Sequence, residues 1–261
     1  PPPRPPPRHY HALESGLWAE ATERRATAAR SRVDLQRSRH EALVHRERGA
    51  ELEALVRERT AQLANAQQEM LDLLASAAEF RSRPLGPHTR WVGESSMAVA
   101  FALGLPAGEA QAIGLAARLH DLGKIAVPDH ILLKEGPLTP EEWEVMKSHT
   151  TLGERMLAPS ESPLLRLAGE IARTHHERWD GLGYPAGLSG EDIPLGGRVV
   201  CVVDNFDALV TRRPYKAAWS VERALAYLRE HAGTRFDPAV VEVFVRLCES
   251  DALPTREGAT D

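Results

Sequence analysis

Between His120 and Asp204 the chain carries histidine and aspartate in an order that suits metal binding. His120-Asp121 comes first, then His149, then His175-His176, then Asp204, and the run Trp179-Asp180-Gly181-Leu182-Gly183-Tyr184-Pro185 precedes that last aspartate. Five of the eleven histidines fall in this window, and of these only His130 lacks a recognisable ligand context. Imidazole together with carboxylate suits Zn, Mn, Fe or Ni, and the lack of thiolates among the candidates argues against a structural zinc knuckle. Successive helical residues project about 100° apart, so a His-Asp pair at a helix end can reach one metal together while the second aspartate oxygen reaches another. Two metals about 3.5–4 Å apart lower the pKa of a shared water and clamp the oxygens of an in-line displacement at phosphorus. That chemistry is phosphodiester hydrolysis.

Taken singly, these residues read more plainly. His149 alone would be a surface or satisfied histidine on an amphipathic helix, and His88 no more than a helix-start residue. Asp204 lies between apolar turns and needs a partner if it is buried. The whole set in this order, with the Gly-Tyr-Pro loop, carries the metal-site reading. His9, His11, His40, His45, His130 and His231 sit in polar helix, loop or tail and read as solvated.

The elements that must position this set are helical. The chain has 261 residues, 43% of them hydrophobic and 26% charged, which fits a soluble globular protein with one large domain or a domain plus an appendage. A net charge of -5 gives no basic field to recruit a nucleic-acid polymer. Cys201 and Cys248 are the only cysteines and read as buried reduced thiols rather than a disulfide framework. No apolar run approaches the roughly 20 residues of a membrane span, and no signal-peptide pattern is present, so a cytoplasmic location is expected.

Residues 1–10 begin with a proline run and read as a linker or tail. Residues 11–78 are rich in Ala, Glu, Arg, Gln and Leu and read as one long helix. Val56, Leu63, Met70 and Ala77 take one seam position and Leu52, Ala66 and Leu73 the other, with Arg59 interrupting, which is a coiled-coil pattern. A dimerising, signal-passing helix too polar to join a core is expected. Residues 79–250 read as an all-α domain, with helices at about His88–Leu103, Gly108–His120, Pro163–His176, Arg198–Leu209, Val221–His231 and Pro238–Cys248. Thr139-Pro140-Glu141-Glu142 reads as a capped start of the helix that carries His149. Residues 251–261 form a tail.

His120-Asp121-Leu122-Gly123-Lys124, Met146-Lys147-Ser148-His149, His175-His176-Glu177-Arg178-Trp179-Asp180-Gly181-Leu182-Gly183-Tyr184-Pro185, Asp204-Asn205-Phe206-Asp207-Ala208-Leu209 and Arg213-Pro214-Tyr215-Lys216 together resemble the HD-GYP family. These are cyclic di-GMP phosphodiesterases of the HD metal-dependent phosphohydrolase fold. The resemblance covers about Glu79 to Cys248. It implies a helical HD-domain bundle in which His88, His120, Asp121 and Asp204 hold one divalent metal, with Fe or Mn as the metal. Asp121 then bridges to a second metal held by His149, His175 and His176. Lys124 would contact the scissile phosphate, Arg213 and Lys216 the other phosphate or a guanine, and Tyr184 would line the pocket. The product would be the linear dinucleotide, or GMP after a further cut. Glu58-Arg59-Thr60-Ala61-Gln62-Leu63 is similar to connectors that join receiver or sensor domains to signalling outputs, which implies such a domain upstream.

This sequence departs from the family pattern at Ser82, Pro84, Leu85, Trp91 and Arg212. Pro84 stands where some members have a glutamate for a third metal, so two metals are expected. The departures cluster at the entrance segment and one rim, where they bear on substrate affinity. Two other readings therefore stand beside the enzyme. One is a catalytically weak receptor for the dinucleotide or a partner protein; the other is an HD hydrolase of another nucleotide.

Overall fold

A computed structural model describes residues 8–80, 88–211 and 217–255. Ten helices follow one another among the described residues, with no strand. They are α1 (Arg8–Phe80), α2 (His88–Ala102), α3 (Ala107–Ala117), α4 (Asp129–Leu132), α5 (Pro140–Lys147), α6 (His149–Leu157), α7 (Pro163–Thr174), α8 (Leu195–Val210), α9 (Val221–Glu230) and α10 (Pro238–Glu249). The all-α expectation is borne out. Residues 1–65 and 66–261 form two compact units.

In the first unit α1 runs unbroken through Gly16 and Gly49, and the seam residues Leu52, Val56 and Leu63 are exposed. In the second unit Met70 and Leu73 are exposed as well, but Leu71, Ala75 and Ala78 are buried. The expectation that this helix is too polar to join a core fails there. Leu71 and Ala75 lie four apart on one helical stripe and enter the main hydrophobic cluster, while Asp72 beside them pairs with Arg118. That ion pair lets the polar neighbour of a buried stripe sit at the edge of a core.

Helix α8 is the centre of the second unit. Its run Val199, Val200, Val202 and Val203 is apolar on nearly every side, so it buries against α2, α7, α9 and α10 together. Helices α2 and α3 approach so closely that a Cβ on Gly93 would stand 2.6 Å from the Gly114 carbonyl oxygen. The capped start at Thr139 is present: Glu142 N–H donates to Thr139 Oγ1 at 3.2 Å, and Thr139 N–H donates to the Glu142 carboxylate at 2.8 Å. The helix begun there does not carry His149. It ends at Lys147, where Ser148 donates both its N–H (3.1 Å) and its hydroxyl (2.6 Å) to the Val145 carbonyl, tightening the turn. His149 opens a separate helix, α6. Among the described residues, no helix is long and apolar enough to cross a membrane.

Candidate metal centre

Seven side chains from five segments converge on one place. His88 begins α2, His120 and Asp121 occupy the turn after α3, His149 begins α6, His175 and His176 follow the last turn of α7, and Asp204 lies midway along α8. Donor atoms of His88, His120 and Asp121 lie within 4.8 Å of one another, as do those of Asp121, His149, His175 and His176. Asp121 belongs to both groups. Asp204 joins the first, its Oδ1 standing 3.5 Å from His88 Nε2 and 3.8 Å from His120 Nε2.

The hydrogen bonds choose which nitrogen of each ring is free. A carbonyl oxygen only accepts, so His120 Nδ1–H donates to Ala117 O at 2.8 Å, His149 Nδ1–H to Met146 O at 2.7 Å, and His175 Nδ1–H to Ala172 O at 2.9 Å. His88 Nδ1 bonds the Asp207 carboxylate at 2.6 Å. In all four residues the buried Nε2 is left with no hydrogen-bond partner, and so is Asp121 Oδ1. Each orphaned polar atom of this kind costs roughly 1–3 kcal/mol. Five such atoms pointing at one another are the mark of a cation site, and an outer partner on Nδ1 that fixes the tautomer is what metal-bound histidines need. The donor set fits a metal.

Charge divides the cluster. Burial alone would depress His120, but Asp121 and Asp204 outweigh it and raise the imidazole to about 9. Burial depresses His175 to about 3, with His120 adding to the effect. Burial also depresses His149 and His176, so these three rings are neutral at pH 7. Burial opposes ionisation of Asp121, yet Lys124 and His120 hold its carboxyl well below the usual range. Lys124 Nζ is paired directly with Asp121 Oδ2.

Backbone contact fixes the remaining parts. A Cβ on Gly123 would lie 1.9 Å from His149 O, so only glycine lets the Leu122–Ala126 turn press Asp121 and Lys124 against α6. A Cβ on Gly183 would lie 2.5 Å from Glu177 Cα. The buried Glu177 carboxylate accepts N–H bonds from Ala186 (2.7 Å) and Leu188 (3.1 Å), tying the Gly-Tyr-Pro loop to the histidine pair. The Tyr184 ring then packs 4.8 Å from the His176 ring.

Sequence reasoning left Asp207 and Glu177 without roles. Asp207 stands three residues after Asp204, hence on the same helical face, and that spacing was the available signal. Trp91, one of the departures from the family pattern, is buried: it stacks on Phe206 at 6.0 Å and donates to Pro254 O. His231, expected to be solvated, is half-buried against the Tyr227 ring at 4.1 Å. His40, His45 and His130 are exposed as expected. Ser82, Pro84, Leu85, Arg212, Arg213 and Lys216 lie outside the described residues, as do the side chains of His9 and His11.

The HD-domain family profile matches residues 72–240, about two thirds of the chain and every cluster residue named above. The chain belongs to the HD-domain family. Over 179 residues it is 49% identical to a cyclic di-GMP phosphodiesterase of Thermotoga maritima, covering 69% of this chain and 49% of that protein. Over 183 residues it is 42% identical to 3'3'-cGAMP-specific phosphodiesterase 2 of Vibrio cholerae, covering 70% of this chain and 35% of that protein. The chain thus spans about half or less of the length of these relatives. A solved cyclic GMP-AMP-specific phosphodiesterase of Vibrio cholerae shares its fold, with a TM-score of 0.55 at 20% identity over 71% of this chain and 49% of that one. HD-domain phosphohydrolases are metal-dependent, and this His/Asp cluster has the donors for such a site.

Proposed function

We propose that this chain is a metal-dependent phosphodiesterase that hydrolyses cyclic di-GMP to the linear dinucleotide in bacterial second-messenger signalling. The observation that carries the proposal is the set of five buried, unpartnered donor atoms arranged around a shared Asp121. The 49% identity to a cyclic di-GMP phosphodiesterase supports the substrate. His88, His120, Asp121 and Asp204 would hold one divalent cation, and Asp121, His149, His175 and His176 a second. Pro84, at the position of a third-metal glutamate, supports two; Fe or Mn suits the donors.

Bound there, the metal pair supplies Lewis-acid charge at phosphorus and lowers the pKa of water. The rest is work for this chain's own groups. Asp121, ionised through Lys124, keeps a negative charge between the two histidine groups. The Lys124 ammonium adds positive charge on the same side, where a phosphoryl oxygen gains charge during displacement. Water is added across one P–O bond, and its proton ends on the departing ribose oxygen. Tyr184 walls the pocket, and Arg213 and Lys216 bind the second phosphate or a guanine.

Regulation would enter through α1. Its exposed apolar seam, Leu52 to Ala77, is the proposed homodimer contact, and an upstream receiver or sensor domain would drive it in the cytoplasm. Removing residues 1–50 should then leave a dimer by light scattering; a monomer would refute the seam. The 42% identity to a cGAMP-specific enzyme favours a second reading, hydrolysis of that mixed cyclic dinucleotide.

The deciding experiment is turnover by protein reconstituted anaerobically with Fe(II) and, in parallel, with Mn(II), with products separated by chromatography. Linear dinucleotide from cyclic di-GMP, lost in Asp121→Ala, is the expected result. Turnover of cGAMP alone would establish the second reading. Binding with no turnover of either would make the protein a receptor.

A further inference from the structure

Helix α5 buries none of its residues, yet it carries a tryptophan beside the metal centre. Trp143 is 45% exposed, and its ring lies 6.0 Å from that of Tyr184 at an interplanar angle of 79°. One helical turn on, Lys147 shares the same face, its Nζ 5.8 Å from the Tyr184 ring centroid and 2.8 Å from the Glu144 carboxylate. The Tyr184 ring in turn lies 4.8 Å from His176, tilted by only 30°. An aromatic wall therefore runs from His176 through Tyr184 to Trp143, with an ammonium group beside it. A half-exposed indole on a helix without core residues contributes little to folding. It does present a rigid, flat, apolar face at low entropic cost.

We propose that Trp143 is a nucleobase-stacking residue of the substrate site, with Lys147 supplying positive charge to the phosphate that follows the stacked base. This rests on the phosphodiesterase reading above and adds a subsite to it. Any base offers a π-face to an aromatic platform, so the wall favours planar nucleotide substrates over simple phosphodiesters. The perpendicular Tyr184 closes one side of the platform and sets where the base edge stops.

The test is steady-state kinetics on the full, metal-loaded chain with Trp143→Ala and Trp143→Phe, together with metal content. Stacking on an aromatic residue corresponds to about a 5- to 150-fold change in binding. Trp143→Ala should therefore raise KM for cyclic di-GMP by about tenfold with kcat and bound metal little changed, and Trp143→Phe should recover most of that loss. An unchanged KM in Trp143→Ala overturns the proposal. So does a fall in kcat alone, which would show that the residue acts through α5 and His149 and not on the base. Wild-type protein that turns over no cyclic di-GMP defeats the phosphodiesterase reading, not this one. GMP titration read by tryptophan fluorescence then decides: quenching that disappears in Trp143→Phe supports the stack, and quenching that persists there overturns it.

Discussion

The group around His88, His120 and Asp204 is governed by charge, whereas the group around His149, His175 and His176 is governed by burial. In the first, Asp207 grips the far side of His88, and Asp121 and Asp204 raise His120 to about 9 against the pull of desolvation. In the second, main-chain carbonyls hold the rings, the Tyr184 ring covers His176, and desolvation keeps all three imidazoles neutral. The first group thus attracts a positive charge of any kind, proton or metal ion. The second offers neutral lone pairs to a metal and resists a proton. Asp121 is the one carboxylate that serves both.

Removing that shared group is expected to have the largest effect. Asp121→Ala should lower turnover by about 10²-fold or more and reduce bound metal at both positions, since even outer partners of ligands are worth 10–100-fold. Loss of metal from only one group, by elemental analysis, would break the picture of a shared bridge.

Next comes Asp207→Asn, at the carboxylate that meets His88 of the charged group and also accepts from Thr211 Oγ1 at 3.3 Å. An amide can still meet His88 but no longer supports it with charge, so affinity for one metal per chain should fall by about tenfold while the second stays. Equal loss of both metals would show that the two groups are not separable.

The third prediction concerns pH and the metal-free protein. His149, His175 and His176 have folded-state pKa values below the ordinary 6.5, with His175 at about 3, so below pH 6.5 the unfolded chain binds more protons than the folded one. Stability is then lost as pH falls from 6.5. His120, raised to about 9, has the opposite sign, and its contribution is lost as pH rises from 6.5 toward 9. Each group contributes up to about 1.4 kcal/mol per pH unit, and 1 kcal/mol shifts Tm by roughly 2–4 °C at this size. Calorimetry should show the apoprotein's Tm falling between pH 6.5 and 5; a flat profile would contradict the neutral state of the second group.

The smallest effect is expected for Tyr184→Phe. The ring, not the hydroxyl, covers His176, so metal content should not change and KM should move by no more than about threefold. A loss of metal in this variant would mean that the hydroxyl orders the histidine pair.

Much of this was legible beforehand. The donors His120-Asp121, His149, His175-His176 and Asp204 carry their chemistry in their residue types, and most helix ends are set by local rules, as at Thr139 and Pro163. The break at Ser148 was not legible, because the hydrophobic period continues across it while one side-chain hydroxyl tightens the turn. Trp91 was read only as a departure from the family motif that bears on substrate affinity, but packing on Phe206 decides its burial. The whole of α1 was read as too polar to join a core, yet Leu71, Ala75 and Ala78 needed only a narrow stripe to enter it.

The sequence by itself determined the helical class and the donor set, because helix propensity, capping and ligand chemistry are properties of residues and their near neighbours. Tertiary structure alone decided which nitrogen of each histidine is free, which carboxylate stands behind His88 from 119 residues away, and which rings are charged. Tautomer and pKa depend on what a group faces and how much water it has lost, and both are set only when distant segments pack together.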